Sequence, residues 1–171
     1  TSTMKKVYIN LISTLDLSRI AAVQRHYTLC KLEHKYLLNE CGCIDKGNET
    51  QLKQLDENIH LVNSKLHELA AKWYTKLKAE GRTDVAIVVQ PFQENLRVPI
   101  DLNFLNHLDC FHPSSLGHQS LAVGLWNSML CTDDRAGRCG DKFDEHWIAR
   151  CPDETSFFYT GPDVVPTVPP Q

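Results

Sequence analysis

No apolar run in this 171-residue chain approaches the roughly 20 residues that carry a helix across a bilayer, so no membrane span is predicted. No basic block is present either: 18 Lys and Arg are scattered among 21 Asp and Glu, for a net charge of −3. Nucleic acid and anionic membrane surfaces need a concentrated positive field, so neither is expected as a partner. No segment repeats another. The leader pattern of a secretory signal is missing as well, because Thr1-Ser2-Thr3-Met4-Lys5-Lys6 runs directly into the strand-like Val7-Tyr8-Ile9-Asn10-Leu11-Ile12. A chain that opens on a strand, with no initiating Met, reads as one cut from something longer.

What remains has the composition of one soluble globular domain, 42% hydrophobic and 23% charged, long enough for a single core. Cysteine is the exception. Seven residues (Cys30, Cys41, Cys43, Cys110, Cys131, Cys139 and Cys151) are many for a cytosolic domain, and they point to an oxidising compartment with at least one left unpaired internally. Asn48-Glu49-Thr50 is a glycosylation sequon in a polar stretch, which agrees with an extracellular or ectodomain setting reached through the secretory pathway.

Hydrophobic periodicity predicts an α/β order. Residues 7–12 read as a buried strand, and a helix is expected over about 19–39 with Ile20, Val23, Tyr27, Leu32 and Leu37 among its apolar positions. The clearest helix covers about 52–77, where Leu52, Leu55, Ile59, Val62, Leu66, Leu69, Trp73 and Leu77 fall on one stripe. Gly81 stops it, and the β-branched run at 84–89 suits a strand covered on both faces. A last helix is expected over about 116–130, capped by Ser114 or Ser115, with Leu121, Leu125, Trp126 and Met129 inward. Beyond it the pattern dissolves, and residues 152–171 carry Pro152, Pro162, Pro166, Pro169 and Pro170, as a linker or terminal strap would. Strand, helices, strand and helix imply parallel strands, with ligands gathering past their carboxyl ends.

One loop past such an end stands Asp109-Cys110-Phe111-His112-Pro113-Ser114-Ser115-Leu116-Gly117-His118. An imidazole accepts a proton from a nucleophile only when its other nitrogen is held in the right tautomer, and an adjacent carboxylate can hold it. Asp109 and His112 are therefore the candidate acid–base pair, with Pro113 suited to the first helical turn. Other groups carry less. His26, Cys30 and His34, four apart, with Cys41 and Cys43 following, could share a zinc ion, the alternative being disulfide cysteines beside exposed histidines. Cys110 is expected in a disulfide that fixes its loop. His118 is expected to pack locally, Gln90-Pro91-Phe92 to end a strand, and Asp144-Glu145-His146-Trp147 to be solvated surface.

The Asp109 segment, together with Leu121-Ala122-Val123-Gly124-Leu125-Trp126-Asn127-Ser128-Met129-Leu130, resembles the last conserved block of the GDSL or SGNH hydrolases, and within them the animal phospholipases B. Asn10-Leu11-Ile12, Cys41-Gly42-Cys43, Val88-Val89-Gln90-Pro91-Phe92 and Cys151-Pro152 extend the resemblance in the same order. It implies a three-layer α/β fold with a parallel sheet and flanking helices. Residues 5–151 would be the C-terminal part of a lipase–esterase domain, its N-terminal strands absent.

The implied activity is hydrolysis of phospholipid or other lipid esters through an acyl-serine intermediate, with Asp109 as carboxylate, His112 as base and no cofactor or metal. The family's nucleophile stands in Gly-Asp-Ser and an oxyanion donor in Gly-x-Asn-Asp. Neither motif occurs here: Ser2, Ser13 and Ser18 lack Gly-Asp in front, and Gly140-Asp141 is followed by Lys142. Losing one oxyanion donor alone costs about 10²–10³ in rate. The chain by itself is therefore expected to be inactive, to need the N-terminal half of its module as partner, and to be unstable through an exposed sheet edge. An inactive remnant or binding domain of the same fold, and a carbohydrate acetylesterase of the same superfamily, are the alternatives.

Overall fold

A computed structural model describes residues 5–38, 41–94, 96, 101–130 and 148–161. Strand β1 (Val7–Ile12) pairs in parallel with β2 (Val85–Gln90), in register from Val7 opposite Val85 to Ile12 opposite Gln90. The chain between them forms α1 (Ser18–His26), α2 (Thr28–Tyr36), α3 (Gly42–Asp45) and α4 (Glu49–Ala79); α5 (Ser115–Met129) follows β2. The protein is mixed α/β. Parallel strands need a long crossover, and the four helices supply it. Among the described residues the sheet has two strands, so each keeps one unpaired edge, and Ile9 and Ile12 of β1 are exposed. In β2, Val88, Val89 and Gln90 are buried in succession, so its carboxyl end is covered on both faces.

The helix expected over about 19–39 is two helices. Tyr27 is extended (φ −93°, ψ 125°) and separates them. Its ring packs against the cluster of Ile20, Val23 and Leu105. Across that break α2 presents an unexpected face. Cys30 and His34 are buried, while Leu32 and Leu37 are exposed at 49% and 80%. Cys30 is disulfide-bonded and His34 is hydrogen-bonded inward, and these anchors orient the short helix against its own apolar pattern.

Helix α4 starts at a capping box in which Asn48 accepts from Gln51 N–H at 2.9 Å and Gln51 accepts from Asn48 N–H at 2.9 Å. Its inward residues are Leu52, Ile59, Asn63, His67, Ala70 and Leu77. Val62, Leu69 and Trp73, expected on the inner stripe, are exposed instead. The buried face is rotated toward two polar residues because both have partners. Asn63 accepts from Thr14 N–H and donates to Thr14 C=O, and His67 Nε2 lies 2.7 Å from Glu94 Oε1.

Two small apolar clusters hold the helices to the loop after β2. Ile20, Val23 and Leu105 form one; Ala21, Ile44 and Leu52 form the other; Leu17 and Phe111 pack against both. Phe111 stands between Asp109 and His112 in sequence, so the core itself locates that loop. On the other side, residues 148–161 lie across α5 and β1. Trp126 Nε1–H donates to Arg150 C=O, Phe158 stacks on Tyr8 with ring centroids 5.3 Å apart, and Tyr8 O–H donates to Tyr159 C=O.

Candidate active site

The Asp109 loop is built by hydrogen bonds to its own ends. Asn106 N–H donates to His112 C=O at 2.8 Å, and Cys110 N–H donates to Asn106 C=O at 2.7 Å. Leu105 and Pro113 bridge antiparallel, and Ser114 N–H donates to Phe104 C=O. Ser114 Oγ then caps α5 by accepting from Gly117 N–H at 3.1 Å. Gly117 is required there: a Cβ would stand 2.3 Å from Phe104 O. Cys110 takes a left-handed backbone (φ 51°), costly for a side chain with a Cβ, and its sulfur is bonded to Cys30 of α2. The expected loop-fixing disulfide is present, with Cys30 as the partner. Glycine would fit that backbone better, but only cysteine can tie it to α2.

Within this frame Asp109 and His112 meet. Asp109 Oδ2 lies 3.0 Å from His112 Nδ1, while Oδ1 accepts from Phe111 N–H at 2.9 Å and from His112 N–H at 3.0 Å. Burial works to raise the Asp109 pKa. The Phe111 N–H, the His112 ring and the His112 N–H together outweigh it, and the carboxyl is held below its ordinary range. The carboxylate is therefore ionised across neutral pH and fixes a proton on Nδ1. Nε2 makes no hydrogen bond among the described residues, and the imidazole is 61% exposed. A neutral ring held this way presents a basic nitrogen outward.

The other sequence candidates separate cleanly. Cys30 is consumed in the disulfide, His34 turns inward, and exposed His26 stands edge-on to Tyr27, so the zinc reading of His26, Cys30 and His34 is overturned. Among the described residues no group of three His, Cys, Asp or Glu is placed to hold a metal. Ser13 is 1% exposed, and its hydroxyl donates to Gln90 C=O at 3.0 Å, so it is not an available nucleophile. Ser18 opens α1, and exposed His118 sits in the first turn of α5. Cys131, Cys139, Gly140-Asp141-Lys142 and Asp144-Glu145-His146-Trp147 lie outside the described residues.

Gln90 does more than precede a strand-ending Pro. It is fully buried, donates to Asn10 Oδ1 at 2.7 Å and to Tyr8 Oη at 3.2 Å, and accepts from Ser128 O–H at 3.0 Å. This network ties β1, β2 and α5 together. The sequence signal for it was a glutamine in an otherwise apolar strand. His34 and Asp45, behind Asp109, were also missed as a pair; eleven positions separate them, and no motif joins them.

Parallel strands under helices, with an exposed, carboxylate-bound imidazole on the loop beyond, define a mixed α/β protein. Comparison with known proteins narrows this. The chain is 29% identical over 168 residues to "Phospholipase B1, membrane-associated" of Rattus norvegicus, covering 92% of this chain and 11% of that protein. It is 30% identical over 134 residues to the Mus musculus protein of that name, covering 74% and 8%, and 27% identical over 164 residues to the Homo sapiens one, covering 92% and 11%. The chain is a relative of membrane-associated phospholipase B1. It spans about a tenth of the length of these relatives. No protein-family model and no solved structure matches it.

Proposed function

We propose that this chain supplies the acid–base half of a lipid-ester hydrolase of the phospholipase B kind, built on a three-layer SGNH-type sheet that β1 and β2 help to form. The observation that carries this reading is the Asp109–His112 pair, with Nδ1 engaged at 3.0 Å and Nε2 presented on an exposed ring. In the reaction, Nε2 takes the proton of a serine hydroxyl as the oxygen attacks the ester carbonyl. The resulting imidazolium is stabilised by Asp109 and returns the proton to the leaving alcohol. Water then repeats the sequence on the acyl-serine, releasing the fatty acid and regenerating the serine. The serine belongs to a Gly-Asp-Ser motif outside these 171 residues.

In this proposal residues 5–151 act as the C-terminal part of the catalytic domain, and the setting is extracellular. Asn48 then carries a glycan through Nδ2, which leaves Oδ1 to cap α4. The test is hydrolysis of phospholipid and lysophospholipid in mixed micelles by the full-length protein that contains this chain. His112→Ala is expected to lower kcat by about 10²–10⁴ with KM little changed. Undiminished turnover in that variant, or none in the parent, removes the reading.

A further inference from the structure

Behind the Asp109 loop lies a second carboxylate–imidazole pair that the proposed chemistry does not use. His34 of α2 is 6% exposed, and the Asp45 side chain, at the end of α3, is wholly buried. His34 Nδ1 stands 3.0 Å from Asp45 Oδ1. The contact is too bent to count as a hydrogen bond, and neither Asp45 oxygen has any other hydrogen-bond partner among the described residues. The ring edge at Nδ1 is thus the polar group set against this buried carboxyl. On the other side, His34 Nε2 lies 2.6 Å from the carbonyl oxygen of Asp109. A carbonyl can only accept, so Nε2 carries a proton and donates it. The amide of buried Gln24 lines the same edge at 3.2 Å.

The position of this bond matters. One turn earlier on α2, Cys30 is joined to Cys110. The peptide between residues 109 and 110 is thus held at both ends by one helix, covalently through Cys110 and by the His34 hydrogen bond at the Asp109 carbonyl. Asp109 makes its two backbone hydrogen bonds and its bond to His112 from that fixed peptide.

We propose that His34, set in place by Asp45, is a positioning residue for the Asp109–His112 pair. It keeps the Asp109 carboxylate aimed so that the His112 proton stays on Nδ1 and Nε2 remains the free base. The pair's catalytic role rests on the proposed hydrolase reading; the positioning does not. Asp45 holds His34, the disulfide holds the neighbouring residue, and the side chains directly served are Asp109 and His112.

The experiment is heteronuclear NMR at mildly alkaline pH on the full-length protein that contains this chain, isotopically labelled at histidine and aspartate only. In the unaltered chain His34 Nε2 should show a through-hydrogen-bond scalar coupling to the Asp109 carbonyl carbon, and His112 should be mainly the Nδ1–H tautomer. The double variant His34→Leu with Asp45→Asn removes the donor without stranding a buried charge. It should invert the His112 tautomer ratio toward Nε2–H. The matched pair His34→Gln with Asp45→Asn restores an N–H at the same place and should recover the original ratio. A folded leucine variant with an unchanged ratio overturns the proposal, as does absence of the coupling in the unaltered chain, which can be read even where the leucine variant does not fold. Phospholipid hydrolysis by the full-length protein is scored separately: its absence from the unaltered protein removes the hydrolase reading and leaves the tautomer result as support for positioning.

Discussion

Asp109–His112 and Asp45–His34 pair the same two side-chain types at the same 3.0 Å, on segments joined by the Cys30–Cys110 disulfide, yet they do different work. The His112 ring is 61% exposed and its carboxylate takes two further backbone N–H bonds, so one ring nitrogen is spare and open to solvent. The His34 side chain is 5% exposed, both its nitrogens face oxygen atoms, and its carboxylate has no water-facing surface. Composition does not separate an open pair from a fixed one. Solvent access and the number of unspent donors and acceptors do. A third pair, Asp16–His60 at 2.7 Å, makes the point from the other side: it is accessible, but its contact uses Nε2 and it bridges the loop before α1 to α4, away from the loop after β2.

The comparison is broken most sharply by Asp109→Asn in the full-length protein. The amide keeps the shape but not the charge, and it allows the wrong tautomer. Turnover is expected to fall by up to about 10⁴, the scale seen for that change in serine-triad enzymes. The same substitution at Asp16 is expected to leave steady-state lipid hydrolysis within experimental error, and equal losses at the two sites would erase the distinction.

Next in size is the buried pair. His34→Ala strands the Asp45 carboxylate and is expected to cost about 3–5 kcal/mol in chemical denaturation, much of which replacing both residues by leucine should restore. An exposed pair behaves otherwise: His60→Ala is expected to change stability by only about 0–1 kcal/mol.

The smallest effect concerns pH. The Asp109 carboxyl is held below its unfolded-state value, so its contribution to stability is complete above about pH 4 and is lost as pH falls through the lowered folded value. Thermal melts of Asp109→Asn should accordingly lack that part of the acid-side decline while matching its slope above it. An identical acid limb in both proteins would show that the carboxylate gains nothing from its hydrogen bonds.

Local chemistry was the legible part of this molecule. The two strands, the long helix from its 3.6-residue period, the capped helix after Pro113 and the Asp109–His112 pair all depend on residues close in sequence, where spacing alone dictates geometry. The misreadings share one cause. Leu32 of α2 and Leu37 just after it, counted among one helix's apolar positions, and Val62, Leu69 and Trp73 of α4, placed on its inner stripe, are exposed, because long-range partners turned other residues to the core. His34 and Cys30 went inward because Asp109 and Cys110 were waiting there, and Asn63 and His67 because Thr14 and Glu94 were.

By itself, then, the amino-acid order determined an α/β arrangement and one short loop in which a carboxylate reaches its own neighbouring imidazole. Tertiary structure alone decided that Gln90 joins β1, β2 and α5, that Cys30 finds Cys110 across 80 positions, and that His34 becomes an internal anchor rather than a metal ligand. The physical reason is that pairing across a long loop is selected by which groups must be satisfied once water is excluded, and that condition exists only after the chain has closed on itself.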